Sequence, residues 1–147
     1  MTTSDDSRSR LLAEAFASHV EGGDGDAVRG CLAGGCAATW FGRPLAGGAI
    51  VEHLVAEFAR LQREFDDRRL EHRVEASDRG GATVRVTEYL MKMPAIWHRR
   101  HWSMTLRFDE AGGVTHLTLA ESDEDRAAYA RYRERCGLAD PTRSGLC

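Results

Sequence analysis

Lysine is nearly missing from this chain: Lys92 is the only one among twenty basic residues, and arginine supplies the rest. Acidic residues outnumber them and leave a net charge of −3. That balance argues against nucleic acid or an anionic membrane as partner, since both select a basic surface. Cys31, Cys36, Cys136 and Cys147 form no Cys-x-x-Cys pair, and no His or Cys cluster with zinc spacing accompanies them. They read as buried or idle thiols of a reducing compartment, and no metal is expected. There is no Gly-rich phosphate loop and no Gly-x-Ser-x-Gly elbow, so nothing calls for a cofactor. The N-terminus lacks the basic start and apolar run of a signal peptide, and no apolar stretch approaches the ~20 residues that span a bilayer. A cytoplasmic protein is the expectation.

What is present is ordinary for a globular chain. At 147 residues, 42% hydrophobic and 29% charged, it is most simply one domain with a real core. Residues 1–7 are polar and expected to be disordered, the domain to cover 8–138, and the tail 139–147 to be loose. A first helix is predicted over 8–21, with Leu12, Ala15, Phe16, His19 and Val20 inward, stopped by Gly22-Gly23. Asp24 caps a short second helix reaching Leu32, which Gly34-Gly35 ends. A short strand follows at 36–41, and Gly42-Arg43-Pro44 turns the chain. The strongest helix is predicted over 48–65: Ile50, Leu54, Phe58, Leu61 and Phe65 recur at helical spacing, with Val51 and Val55 widening the stripe.

Four strands are predicted after it. In the stretch 82–91 alternate residues Ala82, Val84, Val86 and Leu90 are apolar, the two-residue period of a strand with one buried face. Glu88 breaks that pattern, an acid on the apolar side that must be paired, hydrogen-bonded or used. The other strands are 68–76 (Leu70, His72, Val74, Ala76 inward), 97–108 (Trp102, Met104, Leu106, Phe108) and 114–121 (Leu117, Leu119, Glu121). Loop lengths set a register. Ala76 then faces Ala82 and Leu70 faces Glu88; Glu88 faces Arg100; Leu106 faces Leu117 and Trp102 faces Glu121. A last helix is predicted over 123–136, capped by Ser122, with acids in its first turn, arginines in its last turns and Gly137 as its stop.

Helices first, then a short strand, a long helix and antiparallel strands make an α+β domain, helices packed on one side of a curved sheet. The order resembles the nuclear transport factor 2-like superfamily, in particular its SnoaL-like polyketide cyclase and steroid isomerase branches. Glu21-Gly22-Gly23-Asp24-Gly25-Asp26-Ala27-Val28 looks like that family's link between its first two helices. Gly42-Arg43-Pro44-Leu45-Ala46-Gly47 looks like its loop into the long helix. The resemblance covers about residues 8–122 and leaves the last helix as an extension. It implies a cone-shaped fold with an apolar pocket open at one end, and an isomerase, cyclase, hydrolase, dehydratase or non-catalytic binder. It carries no residue's role over, because catalytic residues differ between the branches.

Strand phase and register place Glu88, His72, Arg100 and Glu121 on the pocket side, with Trp40, Phe58, Trp102 and Met104 as its apolar wall. His72 sits one diagonal step from Glu88, within side-chain reach. Glu88 would be the acid or base, His72 its proton partner, Arg100 the group that orients it or stabilises oxyanion charge, and Glu121 a second carboxylate at the mouth. The same Glu88–Arg100 pair is also readable as a structural ion pair. His98 and His101, three apart on a strand, point to opposite faces and make no metal site. The expected function is cofactor-independent acid/base chemistry on a small apolar biosynthetic intermediate: cyclisation, isomerisation or dehydration. The alternatives are an epoxide- or aziridine-type hydrolase and a non-catalytic binding protein for self-resistance. The mixed outer face (Thr83, Arg85, Thr87, Tyr89, Arg99, His101, Ser103, Thr105) would suit a homodimer made sheet to sheet.

Overall fold

The computed structural model describes residues 2–94 and 97–138. The order is α1 (Thr2–Glu21), α2 (Gly25–Cys31), β1 (Leu32–Trp40), β2 (Arg43–Ala46), α3 (Gly47–Glu64), β3 (Asp67–Asp78), β4 (Gly81–Met91), β5 (His98–Phe108), β6 (Val114–Ala120) and α4 (Asp123–Arg135). The six strands form one mixed, unclosed sheet in the order β2-β1-β6-β5-β4-β3. Only β1 and β6 run parallel; the other pairs are antiparallel. This is the expected α+β cone, with helices covering the concave face of the sheet.

The main core lies between that face and the helices. α3 contributes Ile50, Val51, Leu54 and Phe58, and the strands contribute Val84, Val86, Trp102, Met104, Leu106, Leu117 and Leu119. The helical stripe of α3 and the two-residue period of the strands are complementary surfaces, so burial follows directly from sequence pattern. α2 is capped as expected, the Asp24 carboxylate accepting from Ala27 N at 3.0 Å.

Several boundaries differ from the sequence expectation. α1 starts at Thr2, so residues 2–7 extend the helix instead of preceding it. Its buried stripe is Ala13, Phe16, Ala17 and Val20, with Ala15 exposed. Turning the small alanines inward lets the helix lie close to β3 and β4. The chain through Gly34-Gly35 is strand, with a register shift between Leu32 and Ala37. Residues 43–46, expected as a turn, are the edge strand β2, where Pro44 is tolerated because only one side needs hydrogen bonds. The loose tail expected at 139–147 lies outside the described residues.

The register is largely as expected. Leu70 faces Glu88, Glu88 faces Arg100, and Leu106 faces Leu117. One correction concerns Ala76, which faces Thr83 and not Ala82: the ladder shifts between Val74 and Ala76, and Ser77 takes the place across from Ala82. The extra residue is a bulge, and it shortens the turn to Arg79-Gly80. β6 pairs no further than Ala120 with Ser103, so Glu121 follows the strand in phase but outside the ladder. Among the described residues no helix is long and apolar enough to cross a membrane.

Candidate functional site

Glu88 is 1% exposed, a carboxylate held on the apolar side of β4 by the strand period alone. Two arginines compensate it. Arg68, two residues beyond the facing Leu70 on β3, sends both Nε and Nη2 to Glu88 Oε2 at 2.7 Å. Arg100, directly across on β5, donates from Nη1 to Oε1 at 3.4 Å and from Nε to Glu121 Oε2 at 3.0 Å. Each guanidinium also lies over a ring: Arg68 over Phe58 at 4.2 Å, Arg100 over Tyr129 at 4.3 Å. Desolvation alone would lower the Arg100 pKa, but the Glu88 and Glu121 carboxylates outweigh it and raise it above the ordinary arginine value.

The charged chain continues through helices α3 and α4. Arg60 bridges Glu57 and Glu64 on α3. Arg133 of α4 grips Glu64 with two bonds of 2.9 Å and donates to the Tyr129 hydroxyl at 3.2 Å. Burial pushes Glu64 upward, but the Arg133 bonds and charge prevail and hold its carboxyl below the usual range. Two alternating runs result, Glu57–Arg60–Glu64–Arg133 and Arg68–Glu88–Arg100–Glu121, with Tyr129 touching Arg133 and Arg100 between them. The balance is what allows so many charges under cover, since an uncompensated buried ion is far more costly.

α4 lies across the end of the cone. Ser122 caps it, and its Tyr129 and Tyr132 join Leu61, Phe65 and Leu90 in a second, smaller core. Tyr132 stacks near Phe65 and on His98 (ring centroids 6.1 and 4.8 Å), and its hydroxyl donates to Leu90 O at 3.3 Å. Undocking α4 would return two tyrosine rings of about 150–250 Å² each to water. At about 25 cal/mol/Å² that alone costs on the order of 8 kcal/mol. The helix lies outside the stretch the resemblance covers, and its Tyr129 ring backs the guanidinium of Arg100.

Two spaces result. Inside, Trp40, Phe41, Phe58, Trp102, Glu88 and Arg100 border a hollow of about 20 Å³, room for a single water. Outside, a cleft of about 590 Å³ opens between the ends of α1 and α3 and the start of β3, lined by Ser18, Glu21, Gln62, Asp66, Asp67 and Arg68. The larger space meets the buried charges only at Arg68, and those charges have almost no room. Chemistry weighs more than volume in choosing the site, so the inner hollow is the candidate, with the cleft as its neighbour.

Of the residues expected there, Glu88, Arg100 and Glu121 are brought together, and Trp40, Phe58 and Trp102 border the hollow. Met104 is buried in the core away from the hollow's lining. His72 is not brought to Glu88. Its Nδ1 lies 2.6 Å from Glu21 Oε1 at the end of α1. The imidazole is too short to compete with Arg68 for Glu88, and the helix end packed on β3 offers it a nearer carboxylate. Arg68 is the residue that sequence reasoning missed, although it shares the inward phase of Leu70 and His72. Among the described residues no three or more His, Cys, Asp or Glu side chains are grouped to hold a metal ion.

Neither a protein-family model nor a curated protein matches the sequence. Solved structures do match. TerC, crystallised with polyporic acid, aligns at a TM-score of 0.66 with 11% identity over 86% of this chain and 98% of its own. An LEH-like epoxide hydrolase of M. tuberculosis aligns at 0.59 with 18% identity, covering 82% and 86%. A candidate polyketide cyclase of Xanthomonas campestris pv. campestris aligns at 0.57 with 20% identity, covering 82% and 94%. At such identities the likeness speaks for architecture and not for chemistry. The chain shares the fold of these structures, the α+β cone that the sequence resemblance implies.

Proposed function

We propose that this protein is a cofactor-independent enzyme that moves a proton on a small, largely apolar biosynthetic intermediate, in a cyclisation, isomerisation or dehydration. The observation that carries the proposal is the Glu88 carboxylate, buried at an aromatic-walled hollow and fixed by two arginines. In this reading Glu88 is the acid or base. Arg100 and Arg68 orient it and stand ready to stabilise oxyanion charge that develops in the transition state. Glu121 holds Arg100 in place through the Nε bond. His72, engaged with Glu21, takes no part. A homodimer through the outer sheet face, and a cytoplasmic setting, belong to the same proposal.

A second reading has one observation in its favour: the hollow fits one water, with Glu88 and Glu57 both in its lining. That arrangement suits hydrolysis of an epoxide or aziridine-type ring, with the water as nucleophile. The neighbouring folds named as a cyclase and as an epoxide hydrolase support both readings equally.

The test starts from small molecules that copurify with the protein, identified by mass spectrometry and returned to it in isotopic water. Deuterium from the solvent on a product carbon supports proton transfer. Labelled oxygen in the product without carbon exchange gives the hydrolase reading. Tight binding with no conversion of the molecule, neither label nor loss of water or rearrangement, means a non-catalytic binder, and the enzyme proposal is then wrong.

A further inference from the structure

Resting on the reading of Glu88 as the reacting group, we propose that the outer cleft is the vestibule of the inner hollow and Arg68 the gate between them. Substrate reaches Glu88 past this side chain and not under α4, and the part left in the vestibule carries hydrogen-bond donors.

Among the described residues Arg68 alone lines both spaces. Its guanidinium is bonded to Glu88 and lies over the Phe58 ring, both of them residues of the hollow's lining. Moving it costs contacts made by a single side chain. Glu88 does not become an orphan when Arg68 leaves, because both Arg68 nitrogens bind Oε2 while Arg100 is bonded to Oε1. The departing guanidinium meets carboxylates at once, since Glu21, Asp66 and Asp67 line the cleft. α4 offers no comparable route. Lifting it breaks the two-bond Arg133–Glu64 grip, exposes Tyr129 and Tyr132, and strips the Tyr129 ring from Arg100.

The linings also say how a ligand must be oriented. The hollow presents Trp40, Phe41, Phe58 and Trp102, so an apolar, flat end goes inward, into the space that the Arg68 side chain gives up beside the about 20 Å³ already there. The vestibule presents Ser18, Glu21, Gln62, Asp66 and Asp67, side chains that chiefly accept, so the outer end donates. Hydroxyl and ammonium groups share that chemistry; a carboxylate does not.

Three probes of one shape decide the matter: 2-phenylethanol, phenethylamine and phenylacetate, titrated into the full chain and followed by amide chemical shifts. The alcohol, the amine or both should move Glu21, Gln62 and Asp67 in the wild type, and which of them does so names the donor. In Arg68→Ala the shifts should extend to Trp102 and Leu119, with binding about ten-fold tighter, because a gate that is closed most of the time no longer taxes affinity. Arg68→Val, which removes the reach over Phe58 and keeps a strand-forming residue, should move the same way should the alanine variant fold poorly. Arg133→Met, which loosens α4, should leave access to the hollow unchanged. Shifts at Trp102 opened by Arg133→Met and not by either Arg68 variant would overturn the route. Tightest binding by phenylacetate would overturn the donor assignment. None of these readouts needs turnover, so they stand apart from the fate of Glu88 as a catalyst.

Discussion

The inner hollow and the outer cleft lie side by side, yet they hold opposite halves of what a site needs. The hollow has a buried acid, aromatic walls and about 20 Å³ of room; the cleft has about 590 Å³ and a polar, largely acidic lining. A single guanidinium, that of Arg68, stands between them. The lesson is that volume by itself locates where a ligand can rest, while buried charge locates where it can be changed. The two become one site only by a small movement, and the charge network sets the cost of that movement.

The comparison breaks most strongly at α4, whose Tyr129 ring backs Arg100 at the edge of the hollow. Glu64→Ala leaves the Arg133 guanidinium buried without its carboxylate, and should cost about 3 kcal/mol, at the low end for a broken buried pair because Glu64 is partly exposed. Urea unfolding measures it, and hydrogen exchange should show α4 opening first. Next comes Gly23→Ala. Gly23 has φ +66°, and an added Cβ would lie 2.9 Å from Phe58 Cδ2. The left-handed backbone costs about 1–2 kcal/mol for a residue with a Cβ. The displaced Phe58 ring should disturb the Arg68 stack and so weaken the partition, read as a lower melting temperature and more readily quenched Trp102 fluorescence.

The smallest expected effect is on pH dependence. Desolvation first, then the nearby Arg100 and Arg135 charges, lower the pKa of His98, whose buried Nε2 has no hydrogen-bond partner among the described residues. Its folded value lies below the unfolded one, so the unfolded chain binds more protons between the two, and stability falls as pH drops below about 6.5. Glu64 works in the same direction at lower pH: its depressed value means that stability is lost as pH falls through the folded value. Hydrogen exchange in α4 across this range should therefore accelerate in two windows, and His98→Phe, which keeps the stack on Tyr132, should abolish the upper one only.

How much of this was legible beforehand follows from the range of each interaction. Glu88 facing Arg100 could be read because two hairpin strands share one loop, and loop length sets the register. Glu121 could be read for the same reason. Arg68 was within reach, being the first residue of the strand expected over 68–76 and in phase with Leu70, but it was not assigned to the inward face. His72 pairing with Glu21 could not be read, since it depends on where α1 comes to rest on β3. The docking of α4 was equally hidden: the helix has a narrow apolar stripe, and its seat relies on Arg133 meeting a carboxylate on another helix. The edge strand β2 escaped because four residues including Pro44 show no alternation. Local period and hairpin geometry were visible; contacts between distant elements were not.

The central claim is that the buried carboxylate of β4 does chemistry, and Glu88→Gln tests it most directly. The substitution keeps shape and removes the charge, and a second carboxylate, Glu121, still compensates Arg100. With the melting curve and ligand binding retained, turnover of the copurifying metabolite should fall by about 10²–10⁴-fold, the usual share of general acid–base catalysis. Full turnover by a folded, binding Glu88→Gln protein would contradict the account and leave the Arg68–Glu88–Arg100 group as scaffolding.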